Sequence, residues 1–322
     1  MQPTKILVTG ATGFIGRALL DRLREDPIFS VSAVVRHLRA PLPSDVRVHE
    51  VGNLSASTDL REALAKVDVV IHAAARAHVL REEASNPLTE FRRVNVDATL
   101  NLARQAAEAG VKRFIFISSI GVNGAETLDE PFSEISLPAP VADYAISKYE
   151  AEQALQQLLQ TMRMELVIIR PPLVYGPDAP GNFGRLLRLV ASGLPLPLGG
   201  ISNRRSLIAR ENLVDFIITC VSHPKAAGEV FLVSDGQDLS TTELVRQLAK
   251  GMGKRLLLLP VPTGMLKFAA TMLGRQSVYQ QLCGSLRVDS GKARAVLNWT
   301  PPLSVNEALR KTAAHFVAQQ RT

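Results

Sequence analysis

Residues 5–23 read KILVTGATGFIGRALLDRL, and the fold follows from that stretch. KILVT is a short apolar run of strand type, and RALLDRL places its leucines at helical spacing. Between them Gly10, Gly13 and Gly16 follow a Gly-x-x-Gly-x-x-Gly pattern. Gly10 suits a tight turn, and Gly13 lets a pyrophosphate approach the backbone. Gly16 lets the helix pack closely on the strand, while the helix N-terminus attracts the phosphate charge. Gly10, Thr12, Gly13, Phe14, Ile15 and Gly16 are therefore expected to cradle a dinucleotide. A glycine pattern alone is weak evidence; its place on the first strand-to-helix turn gives it weight.

The same alternation continues outward. VSAVV, VRVHEV, VDVVIHAA, FIFISS and ELVIIR read as further strands, and STDLREALAK, NVDATLNLARQAAEAG and SKYEAEQALQQLLQ as helices between them. Strands alternating with helices imply an α/β fold, a Rossmann-type doubly wound parallel sheet. After Arg170 the texture changes to punctuated loops such as PPLVYGPDAPGN. The expected division is a dinucleotide-binding domain over 1–170, rejoined by 205–235, and a smaller substrate domain from 171–204 and 236–322. At the end of VSAVV stand Arg36, His37 and Arg39, with no acidic residue beside them in the sequence. An arginine there favours a 2′-phosphate, so NADP(H) is expected ahead of NAD(H).

Tyr144 and Lys148 in YAISK are one helical turn apart. Tyrosine has an ordinary pKa of about 10, and a lysine charge beside it favours the phenolate. The pair can therefore move a proton next to a hydride carrier. FIFISS offers Ser118 and Ser119 at the carboxyl end of a strand, where open α/β sheets bind ligands.

The totals exclude other classes. The 322 residues are 46% hydrophobic and 21% charged, enough for a sizeable core and too apolar for disorder. A net charge of +7 from scattered residues, without aromatic interleaving, reads as a solvated basic surface and not a nucleic-acid site. Cys220 and Cys283 lack metal-ligand spacing and fit a reducing cytosol. The N-terminus runs straight into a strand, so no signal peptide is expected and a cytoplasmic location is. Residues 256–273, LLLLPVPTGMLKFAATML, are too broken for a membrane span and are expected to form strand, turn and core helix.

TGATGFIG, HAAA at 72–75, Asn95-Val-Asp, SSIGVNG, YAISK, RPPLVYGP and LNWTPP together carry a resemblance spanning nearly the whole chain. The sequence resembles the extended short-chain dehydrogenase/reductases, the NAD-dependent epimerase/dehydratase family. The resemblance implies that Ser119 acts with Tyr144 and Lys148, and that Asn95 is structural. It gives Ala73 and Ala74 backbone contact with the cofactor and sets Asn53 and Leu54 at the adenine, with Asn53 replacing a common aspartate. On the substrate side it places Arg205, in NRRSLIARENLVDF, against a diphosphate, and Asn182, in PGNFGRLL, close by. Leu173 and Asn123 stand where relatives often carry asparagine and tyrosine. The leading expectation is reduction of the C4 ketone of a UDP-linked deoxyamino sugar for surface-polysaccharide synthesis. A UDP-hexose 4-epimerase with tightly bound NAD is the alternative. A non-sugar ketoreductase ranks third, and Ile120-Gly121 beside Ser119 replaces the acidic pair of a dehydratase. The intact Ser119, Tyr144 and Lys148 set argues against a binding-only subunit. A helix-paired homodimer is usual in the family.

Overall fold

The computed structural model describes residues 2–38, 42–77 and 86–320. The glycine stretch forms β1 (Thr4–Thr9) and α1 (Phe14–Arg24). There follow β2 (Phe29–Val35), β3 (Arg47–Glu50), α2 (Arg61–Leu64), β4 (Val69–His72) and α3 (Pro87–Arg92). A π-helical turn over Arg93–Asp97 runs into α4 (Ala98–Glu108). Then come β5 (Arg113–Ile117), α5 (Asp143–Leu159), β6 (Glu165–Arg170), β7 (Leu173–Tyr175) and α6 (Gly181–Ala191). The remainder forms β8 (Leu207–Ala209), α7 (Arg210–Ser222), β9 (Val230–Leu232), α8 (Thr241–Gly251), α9 (Thr263–Met272), α10 (Gln276–Cys283), α11 (Gly291–Leu297) and α12 (Val305–Gln319).

Seven strands pair in parallel in the order β3-β2-β1-β4-β5-β6-β9. β1, β4, β5 and β6 are apolar on both faces, as a parallel sheet covered on both sides requires. The order reverses beside β1, which puts a crevice at the carboxyl ends of β1 and β4. One face packs on α1 and α7, with α11 and Trp299 in the same core; the other packs on α4 and α5. A separate core gathers Tyr175 and Phe183 with residues of α8 and α12. β7 and β8 form a two-stranded parallel pair that leads from the sheet towards it.

Two expected helices came out differently. In STDLREALAK only Arg61–Leu64 is helical. Ser55 N–H donates to Thr58 Oγ1 at 2.9 Å, and Arg61 N–H donates to Asp59 Oδ1 at 3.0 Å, so side chains compete with helical backbone bonds. The expected core helix in 256–273 is α9, which has no buried residue. Apolar composition placed a helix there, but only Leu266 of its large side chains packs inward.

Candidate active site

The glycine turn is built by close backbone approach. Gly10 has φ of +71°, and a Cβ there would lie 2.6 Å from Ala74 N. A Cβ on Gly16 would lie 2.1 Å from the Gly10 carbonyl oxygen, so only glycine lets α1 sit this close. Gly13 caps α1 without a side-chain bond, leaving the first amides of the helix directed at the crevice. A cradle of bare backbone at a helix N-terminus fits a dinucleotide pyrophosphate. Thr12 is exposed at its rim, Phe14 and Ile15 are half-buried, and Arg210 stacks over the Phe14 ring at 5.0 Å.

The opposite wall is the segment after β4. Thr9 Oγ1 and His72 Nδ1 are 2.6 Å apart, and His72 Nε2 is 2.9 Å from Thr99 Oγ1. Burial pushes His72 down to about 3, so the ring is neutral. Ala73 N–H donates to Thr9 O at 3.3 Å and Ala74 N–H to Thr9 Oγ1 at 3.3 Å, which fixes both residues over the glycine turn. Asn95, on the π turn, accepts from Arg76 N–H at 2.8 Å and donates to Arg76 O and to Ser147 Oγ. Ser147 Oγ in turn donates to the Tyr144 carbonyl. Asn95 thereby ties the segment after β4 to the helix that carries Tyr144 and Lys148.

Those two side chains occupy the first turns of α5. Tyr144 is half-buried, with its ring edge-on to Phe91 at 6.3 Å. Lys148 is 1% exposed, with Nζ 3.8 Å from the Phe116 ring centre. Desolvation pushes the Tyr144 phenol up to about 12 and the Lys148 ammonium down to about 7, with Glu152 one turn on opposing the latter shift. The expected lowering of the tyrosine by Lys148 does not appear; desolvation alone sets the direction of its shift.

The two serines separate cleanly. Ser118 is buried and donates to the Glu152 carboxylate, which Arg170 also grips through Nε at 3.0 Å and Nη2 at 2.5 Å. Ser119 caps the short turn after β5, accepting from Gly121 N–H at 3.1 Å. Gly121 separates Ser119 Oγ from Ala145, the neighbour of Tyr144, because a Cβ there would meet both within 3.3 Å. Asn123 does not line the crevice; it is buried, accepts from Arg170 Nη1 at 3.0 Å and donates to Ser133 O. Sequence reading missed the Ser118–Glu152–Arg170–Asn123 network and the Thr9–His72–Thr99 chain. The Lys148 to Glu152 spacing, one helical turn, was the available sign of the first.

The outlying residues are more spread. Arg36 is exposed at the end of β2 without a hydrogen bond or ion pair among the described residues; Arg39 lies outside them. The apparent lack of a carboxylate there is corrected by Glu50. From the end of neighbouring β3 it reaches His37 Nδ1 at 3.1 Å and the Leu38 N–H at 3.4 Å. Asn53 is exposed beyond β3, and Leu54 packs partly against the core. Arg205 Nη1 donates to Gly284 O at 3.1 Å, and burial lowers its pKa while Glu126 opposes. Asn182 is exposed in the first turn of α6, where its Nδ2 donates to Gln281 at 2.7 Å.

Comparison with known proteins agrees with this construction. The chain is 47% identical to a UDP-glucose 4-epimerase of Vibrio cholerae over 317 residues, covering 98% of this chain and 96% of that one. A UDP-glucose 4-epimerase structure from Thermotoga maritima superposes with a TM-score of 0.78 at 23% identity, over 98% and 99% of the two chains. A UDP-glucuronic acid 4-epimerase from Bacillus cereus, in complex with NAD, gives 0.78 at 22% identity over 98% and 97%. Residues 6–234 match the NAD dependent epimerase/dehydratase family, and with its glycine cradle and Tyr144–Lys148 helix the chain belongs to that family.

Proposed function

We propose that the protein is an NAD-dependent 4-epimerase of a UDP-linked hexose. The observation that carries this reading is the 47% identity, over nearly the full chain, to a UDP-glucose 4-epimerase. It reverses the order expected from the sequence, where ketone reduction stood first. Glu50 beside the end of β2 supports NAD, since a carboxylate there suits a ribose 2′-hydroxyl and repels a 2′-phosphate.

Gly10, Gly13 and Gly16 with the α1 amides would hold the pyrophosphate, and Ala73 and Ala74 would face it across the crevice. A bound dinucleotide would supply the hydride acceptor and donor for C4. Tyr144 takes the proton from the C4 hydroxyl as the C–H bond breaks and gives it back when the carbonyl is reduced. Ser119 hydrogen-bonds the same oxygen, and Lys148 supplies positive charge to the phenolate. Inversion requires the 4-keto sugar to present its other face before reduction. Arg205 is the proposed diphosphate contact, and its guanidinium would exchange the Gly284 carbonyl for phosphate oxygens. Asn182 is a further proposed contact to that end of the substrate.

Incubation with UDP-galactose and no added cofactor tests the reading. Formation of UDP-glucose, with NAD released on acid denaturation, is the expected result. The 4-ketoreductase remains the second reading because Arg36, exposed at the end of β2, suits NADPH. Stoichiometric NADPH oxidation with a UDP-4-keto-6-deoxyhexosamine, without epimerisation of UDP-galactose or its N-acetylamino counterpart, would establish it instead.

A further inference from the structure

Charge is segregated in this protein although it looks scattered along the sequence. Residues 179–210 and 244–288 hold twelve Lys and Arg and no Asp or Glu, leaving 25 basic against 30 acidic residues elsewhere. The two stretches meet in space. Leu196 N–H donates to Leu257 O and Leu259 N–H to Leu196 O, while Asn182 and Asn203 bond to residues at the end of α10.

Acids from other segments meet some of these cations, as Asp238 meets Arg287 and Glu211 meets Arg210, but none is paired with the cations of α9 and its C-terminal turn among the described residues. α9 has no buried residue. α9 turns Leu266 and Ala270 partly inward. Met265 is 64% exposed, Phe268 70% and Met272 72%, at spacings of three and four residues that put them on one outer face. Leu273 follows at 72%, and Leu257, in the segment leading into α9, at 59%. Lys267 and Arg275 stand exposed beside them and make no ion pair among the described residues. Single exposed leucines need no explanation; a helical stripe of three large apolar side chains, continued by Leu273 and flanked by two cations with no ion pair among the described residues, does.

We propose that α9 docks on an anionic phospholipid membrane, lying in the plane of the interface. Met265, Phe268, Met272 and Leu273 enter the boundary between headgroups and acyl chains, and Lys267 and Arg275 meet lipid phosphates. The helix has 10 residues, about 15 Å of length, half the thickness of a bilayer core, so it lies on the surface and does not cross it. Charge also excludes the other simple occupant. A symmetric dimer through α9 would set Lys267 and Arg275 of one copy against those of the other, with no Asp or Glu in α9 or α10 to offset them.

Sedimentation of the full chain with vesicles tests the proposal. Strong binding to vesicles containing phosphatidylglycerol is expected, with at least about tenfold weaker binding to phosphatidylcholine alone and loss in high salt. Phe268→Asp with Met272→Asp, and separately Lys267→Glu with Arg275→Glu, should each weaken binding at least about tenfold, with turnover of a soluble UDP-sugar unchanged. Failure of the wild-type protein to bind the anionic vesicles, or equal binding by both variants, overturns the proposal. So does a dimer, seen by sedimentation velocity, that Phe268→Asp dissociates.

Discussion

Burial of Lys148 carries a cost in stability that its proposed role would explain. An ammonium that is 1% exposed with its pKa drawn down to about 7 binds its proton more weakly in the folded chain than in the unfolded one. Stability from this position is therefore lost as pH falls from about 10.5 to about 7, and stays lost below. Lys148→Met should raise unfolding stability at pH 7, by on the order of 2 to 4 kcal/mol in urea titration, and abolish turnover. Tyr144→Phe should lower kcat by roughly 10²-fold or more with dinucleotide affinity unchanged, as calorimetry would show. Near-normal turnover would remove Tyr144 from the proton path. The serines provide a contrast. Ser119→Ala should reduce kcat at little cost in stability, whereas Ser118→Ala removes a donor from buried Glu152 and should cost about 1 to 3 kcal/mol of stability. Glu50→Gln should shift the NADH to NADPH affinity ratio towards NADPH by several-fold; an unchanged ratio would discount Glu50 as the discriminator.

At the scale of elements, most of the parallel strands were legible as runs rich in β-branched and aromatic residues with turn signals at their ends, and β3, RVHE, was legible by the alternating valines of VRVHEV. α5 was equally plain. What escaped were features made by pairing across long sequence distances. Glu50 sits fourteen residues after Arg36, so its approach to the end of β2 depends on β3 lying beside β2. Ser118 and Ser119 are indistinguishable in FIFISS, and the alternation of the strand decides which one turns to Glu152 and Arg170. α9 misled for another reason: apolar content reports what a helix prefers to leave, water, but not what covers it. The glycine turn yields the sharpest test here. Gly16→Ala forces a Cβ to 2.1 Å from the Gly10 carbonyl, so α1 must move off β1. Loss of dinucleotide binding together with a melting temperature lower by several degrees is expected, as a shift of more than about 1 kcal/mol would give.

For the whole molecule, acid stability should be set in part by His72. Its ring is neutral when buried, with a pKa near 3, while in the unfolded chain it titrates near 6.5. The unfolded state gains the proton first, so unfolding free energy should fall as pH drops from about 6.5 towards 3. His72→Gln should flatten that slope in urea melts between those limits; an unchanged slope would assign acid lability to other groups. The π turn over Arg93–Asp97 has a consequence of a different kind. It stores one extra residue inside the run from α3 to α4, and the side chain it displaces is Asn95, which joins two walls of the crevice. A helix advances about 100° per residue, so deleting a single position there would restore a regular coil and swing Asn95 away from Arg76 and Ser147. The chain thus carries a place where a three-nucleotide deletion, leaving the core sequence intact, would disconnect the segment after β4 from the helix that bears Tyr144 and Lys148.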